Sequence, residues 1–93
     1  MGDRIGVVFI DRNGDDSFVL QSHWAGRALL IDVQKWMREV DTEKIYASEA
    51  IARFLTWYGR THDGDGDFCI QESDDDTEDN GVFIADLKQG VIG

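Results

Sequence analysis

Ninety-three residues, 42% of them apolar, suffice for a single domain over 1–93 with one modest core. A formal net charge of −10 leaves no Lys/Arg cluster of the kind that phosphate contacts require, so direct nucleic-acid binding is not expected. No apolar run reaches the length of a membrane span, the opening MGDRIGVVFI lacks the layout of a secretory leader, and one cysteine allows no internal disulfide; a soluble cytoplasmic protein is expected.

In chain order, Arg4 to Ile10 is rich in β-branched and aromatic residues and apolar on both faces, which predicts a central strand. Asn13-Gly14 then signals a tight hairpin turn. Ser17 to Trp24 is the predicted return strand, with Phe18, Leu20, Ser22 and Trp24 on the face that better suits a core. From Arg27 to Val40, Leu29, Val33, Trp36, Met37 and Val40 recur at helical spacing, with Leu30 at the edge of the stripe. A second helix is expected from Asp41 or Thr42 to Gly59, burying Ala47, Ile51, Phe54, Leu55 and Tyr58 and pairing Glu49 with Arg53 on its exposed side. Phe68 to Gln71 and Val82 to Ala85 are predicted strands, and 89–93 a loose tail. The expected fold is therefore α+β, two-layered and in ββααββ order, with two helices on one face of a four-stranded, mainly antiparallel sheet.

Charge divides the chain unevenly. Residues 1–60 carry 9 acids and 8 bases, whereas residues 61–93 carry 10 acids and 1 base. The acidic loops of 61–80 flank the short Phe68–Gln71 strand. Within 61–72, Asp63, Asp65, Asp67 and Glu72 surround Gly64 and Gly66 after a predicted helix, in a spacing that resembles an EF-hand calcium loop; oxygen ligands on a sharply turned backbone suit a hard cation. Thr61 stands where that loop has its first carboxylate, and the residues after Glu72 make a poor exiting helix. Calcium binding by these four carboxylates is one reading, and a solvated connection is the other.

The run Glu72 to Asp79 has charge without such spacing. It suits a self-repelling surface loop, a cation site shared with 63–67, or a decoy whose carboxylates imitate phosphates. As a contact surface, Asp74, Asp75, Asp76, Glu78 and Asp79 would meet a basic protein partner, with Trp57, which falls off its helix's apolar stripe, as an aromatic anchor. Such acidity also accompanies life at high salt. Two distant histidines, His23 and His62, and one cysteine are too few for a zinc site; Cys69 between Phe68 and Ile70 reads as a packed strand residue, and no enzymatic activity is expected.

Gln21-Ser22-His23-Trp24-Ala25-Gly26-Arg27-Ala28-Leu29 resembles a motif of small uncharacterised phage and bacterial proteins, in which a hairpin ends in His-Trp-x-Gly and a helix follows. Ala52-Arg53 and a final apolar strand continue the resemblance through most of the chain, and the acidic 61–80 stretch departs from it. The resemblance implies a phage or mobile-element accessory protein and carries over no activity and no site residue. The expected function is a small acidic interaction protein that binds a basic partner surface, with a calcium-binding domain as the alternative.

Overall fold

Apolar residues on both faces of the first strand put it where both neighbours are strands. In the computed structural model, which describes residues 3–62, 67–72 and 79–93, β1 (Ile5–Ile10) lies between β2 (Val19–Ser22) and β4 (Val82–Asp86). Outside these run β3 (Phe68–Gln71) against β2 and β5 (Val91–Ile92) against β4, giving the order β3-β2-β1-β4-β5. The expected sheet of four strands thus has five, and the element order is ββααβββ. Three of the pairings are antiparallel, but β4 runs parallel to β1, from Gly6↔Val82 to Ile10↔Asp86. Residue pattern does not reveal strand direction; the parallel pair is feasible because both helices lie in the connection between its members.

The expected loose tail is instead β5. The Asp86 carboxylate accepts the backbone N–H groups of Lys88 and Gln89, Gly90 takes φ +71, and the chain returns to pair Ile92 with Ala85. The Asp and Gly that make this turn were visible in the sequence; a two-residue strand has too little pattern to show.

Helix α1 (Ala28–Glu39) buries Leu29, Val33, Trp36 and Met37, as its period requires. The second helix starts later and ends later than expected. Thr42–Lys44 form only a short 3₁₀ turn, because the buried Thr42 hydroxyl donates to the Leu87 carbonyl at 2.9 Å and Ile45 turns into the core. Helix α2 then runs Ala47–Thr61, passing through Gly59. It stops where the His62 ring stacks on Tyr58, with centroids 3.9 Å apart, and reaches Asp32 of α1 at 3.2 Å. The Glu49–Arg53 pair forms on its exposed side, Nε to Oε1 at 3.5 Å. No helix among the described residues is long and apolar enough to cross a membrane.

Both helices cover the same face of the sheet. The ring of Phe9 on β1 meets Trp36 of α1 at 5.7 Å and Phe54 of α2 at 6.1 Å, and Trp36 meets Phe54 edge-on at 5.6 Å. Ile5, Val7, Leu20, Leu29, Val33, Ala85 and Leu87 complete a core sealed from solvent. Two members of the expected core face are not in it: Phe18 and Trp24 stay exposed at the two ends of the return segment, whose regular part is only Val19–Ser22.

The His23-Trp24-Ala25-Gly26 segment has a local reason for its glycine. Gly26 takes φ +55, and a Cβ there would overlap the Asp3 carboxylate. Asp3 in turn bonds the segment through its backbone, its N–H to the His23 carbonyl at 2.7 Å and its C=O to the Gly26 N–H at 2.9 Å, while Asn80 Nδ2 donates to its side chain.

Candidate functional site: an acid-rimmed groove beside the second helix

Asp11 organises the connection between β1 and β2. Its Oδ1 accepts the N–H groups of Asn13 (2.9 Å) and Asp15 (3.1 Å), and its Oδ2 accepts that of Ala47 (2.9 Å) at the start of α2. One carboxylate thereby folds the turn and pins it to the N-terminus of α2, where the Glu49 side chain also accepts the Tyr46 N–H. The Ala47 bond above all, with those from Asn13 and Asp15, holds the Asp11 carboxyl below its ordinary value of 3.8 against the opposing effect of burial.

The return chain beyond this turn is out of step with β1. Val7 pairs with Leu20, but Ile10 bridges to Asp16, so Val8 and Phe9 face three residues, Ser17, Phe18 and Val19. The extra residue makes a bulge. The Ser17 hydroxyl accepts the Phe9 N–H at 2.9 Å and the Ser17 N–H donates to the Phe9 carbonyl, which satisfies the interrupted ladder.

Phe18 is left 57% exposed and joins the 53% exposed Ile70 of β3 and the 47% exposed Tyr46 around a groove of about 640 Å³. Ile51, Ala52 and Leu55 of α2 form its other wall, and Asp15 and Asp16 stand at its rim. Neither of these carboxylates makes a hydrogen bond or ion pair among the described residues. The nearby cation, Arg12, is turned to Tyr46, with Nη2 3.3 Å from the phenol oxygen and the guanidinium 5.4 Å from the ring centre. An apolar floor with unmatched acids on its rim can hold an apolar group attached to a cation.

The sequence-predicted site residues are placed differently. Asp63, Asp65, Asp74, Asp75, Asp76 and Glu78 lie outside the described residues. Asp67, at φ +50, and Glu72 are exposed at opposite ends of the extended β3, on the order of 15 Å apart along the strand. An EF-hand loop instead turns into a helix that carries its twelfth position back toward the ion. Asp79 is tied to the start of β1: its Oδ2 accepts the Arg4 N–H at 3.0 Å and Arg4 Nε at 3.3 Å, and these bonds hold its carboxyl below the ordinary value. Trp57 is half-buried over the helix seam, its ring 5.9 Å from that of Phe54 and its Nε1 donating to Glu39 at 3.4 Å.

Register brings together a cluster that sequence spacing could not show. Gln21 pairs with Cys69 across β2 and β3, and its fully buried side-chain oxygen accepts Gln71 Nε2 at 2.8 Å and the Cys69 thiol at 3.1 Å. His23 Nε2 lies 3.9 Å from Cys69 Sγ. These contacts lace β3 to β2 on the face that carries no helix. The groove too was missed, because its parts come from the turn, the bulge and two elements distant in sequence. The visible signal was Phe18, an apolar residue at the end of a strand beside two consecutive aspartates. No protein-family model, curated protein or solved structure matches the chain.

Proposed function

We propose that this chain is a small, acidic, non-enzymatic interaction protein that binds a basic surface of a partner protein. The observation that carries the reading is the coincidence of unmatched acids and unmatched apolar surface: Asp15 and Asp16 are unpaired among the described residues beside exposed Phe18, Tyr46 and Ile70. Four acids elsewhere are engaged internally. Asp11 caps, Asp79 binds Arg4, Asp32 meets His62 and Asp86 closes a turn. The net charge of the last third adds long-range attraction for a cation-rich partner. The resemblance around His23-Trp24-Ala25-Gly26 supports a phage or mobile-element setting.

A Lys-rich peptide tests the reading, with an unrelated acidic protein of equal net charge as control. The expected result is tighter binding than to the control, falling as salt rises, and weaker binding after Asp15→Asn with Asp16→Asn or after Asp74→Asn, Asp75→Ser and Asp76→Asn. Binding no tighter than the control's, or unaltered by both sets of substitutions at low salt, would remove it.

A further inference from the structure

The helix layer is one helix short of covering its sheet. Neighbouring strands lie about 4.8 Å apart and packed helices about 8–10 Å apart, so one helix covers roughly two strands. Helix α1 contacts β5, and α2 contacts β1, two strands away. Two strands farther on is β3, where a third helix would lie. At one end of this slot Phe68 packs against Tyr58, with centroids 5.0 Å apart. Beyond Phe68 the slot is open, and this open part is the groove floored by Phe18, Ile51, Leu55 and Ile70.

The slot has the dimensions and chemistry of a helix seat. From Tyr46 to Leu55 the wall of α2 is about 14 Å long, the length of a helix of roughly ten residues. Ser48 and Ala52, one turn apart on that wall, are small enough to let another helix approach closely. The rim supplies Asp15 and Asp16, and Glu72 follows β3 directly where Gln71 pairs with Val19 beside Phe18. Neither internal segment outside the described residues supplies an apolar stripe for the seat: residues 63–66 and 73–78 contain no apolar side chain. A second copy, at the same net charge of −10, is electrostatically disfavoured.

We infer that the groove seats an amphipathic helix of the partner, with its apolar stripe on Phe18, Ile51, Leu55 and Ile70 and its Lys or Arg residues against Asp15, Asp16 and Glu72. The inference rests on the reading that the partner is basic, and adds that recognition is by a helix-in-groove contact with an apolar centre.

The probe is a synthetic peptide of about twelve residues with Leu at i, i+3, i+4 and i+7 and Lys on its flanks, compared with a peptide of the same composition scrambled to destroy the stripe. The striped peptide is expected to bind roughly tenfold or more tighter by fluorescence anisotropy, to gain helicity, and to shift the amide resonances of Phe18, Leu55 and Ile70. Ile70→Thr should abolish the preference for the striped peptide; Leu55→Gln gives a second test in a different element should the first fail to fold. Equal binding of both peptides with salt sensitivity intact would overturn the helix seat and leave the basic-partner reading standing. Binding of neither at low salt would remove both. Resonance shifts at the same residues on raising protein concentration alone, with dimers in sedimentation, would give the groove to a second copy and overturn the inference.

Discussion

The two flanks of the helix layer treat the same kinds of residue in opposite ways. Over β1, the rings of Phe9, Trp36 and Phe54 pack on one another and are sealed, and Asp79, Asp32 and Asp86 are bonded to Arg4, His62 and backbone amides. Beside β2 and β3, Phe18 and Ile70 face solvent and Asp15 and Asp16 find no partner among the described residues. Single exposed apolar residues and single unpaired acids are ordinary. Their meeting in one groove, where Asp15 and Asp16 border Phe18, Tyr46 and Ile70, separates a receiving side from the sealed core.

The largest effect should come from the sealed flank. Phe54 is fully buried and contacts Phe9, Trp36, Trp57, Tyr58 and Phe68. Phe54→Ala should therefore lose about 3–5 kcal/mol of unfolding free energy, read by urea denaturation. A loss no greater than that from a groove residue would break the distinction between the flanks.

Gly26→Ala comes next, at about 1–3 kcal/mol, because it combines a strained φ with overlap on Asp3. Adding Asp3→Ala should recover only part of the loss: it makes space but leaves φ at +55 and removes the acceptor used by Asn80. Full recovery would show that steric overlap alone requires the glycine.

These two positions also mark what the sequence could reveal. Helical spacing at Leu29, Val33, Trp36 and Met37 and at Ala47, Ile51 and Phe54 displayed both helices and their buried faces, since one core takes in a whole stripe. Spacing could not display the parallel β1–β4 pair, whose partners are far apart in the chain, or β5, whose two residues are too few to show a pattern. The groove was less legible still. It depends on a bulge that displaces the register by one residue, and on Asp11 being committed to Ala47, so that Asp15 and Asp16 remain as the unmatched acids of the turn. Charge counting drew attention to 61–80, whereas the described geometry draws it to acids that a near-neutral stretch had concealed.

Asp11 makes the comparison sensitive to pH. Its folded-state pKa lies below its unfolded value, so the stability it contributes is fully present above the ordinary carboxylate value of 3.8 and is lost as pH falls through the lower folded value. Asp79 has the same sign, through Arg4. Asp11→Asn should destabilise at neutral pH by less than Phe54→Ala, because an amide in either orientation turns an NH₂ toward backbone donors that need an acceptor. In acid denaturation monitored by circular dichroism, the stability gap between parent and variant should narrow below the ordinary carboxylate range. A gap that persists unchanged at the lowest pH would mean that the ionised carboxylate is not what pins the turn to α2.

The smallest stability effect, and the sharpest test of the receiving flank, belongs to Ile70. The side chain is 53% exposed on β3, so little of its apolar surface is withdrawn from water by folding. Ile70→Thr keeps the β-branch that suits a strand and removes about half the apolar side chain, which should change unfolding free energy by no more than about 0.5 kcal/mol. In a complex the same atoms would be fully desolvated, so their loss should register in affinity far more than in stability. A substitution that is silent in urea and costly in binding to the striped peptide would separate receiving from stabilising at one residue. A stability loss approaching that of Phe54→Ala would instead make Ile70 part of the core, and the groove an unfilled edge of that core with no partner to receive.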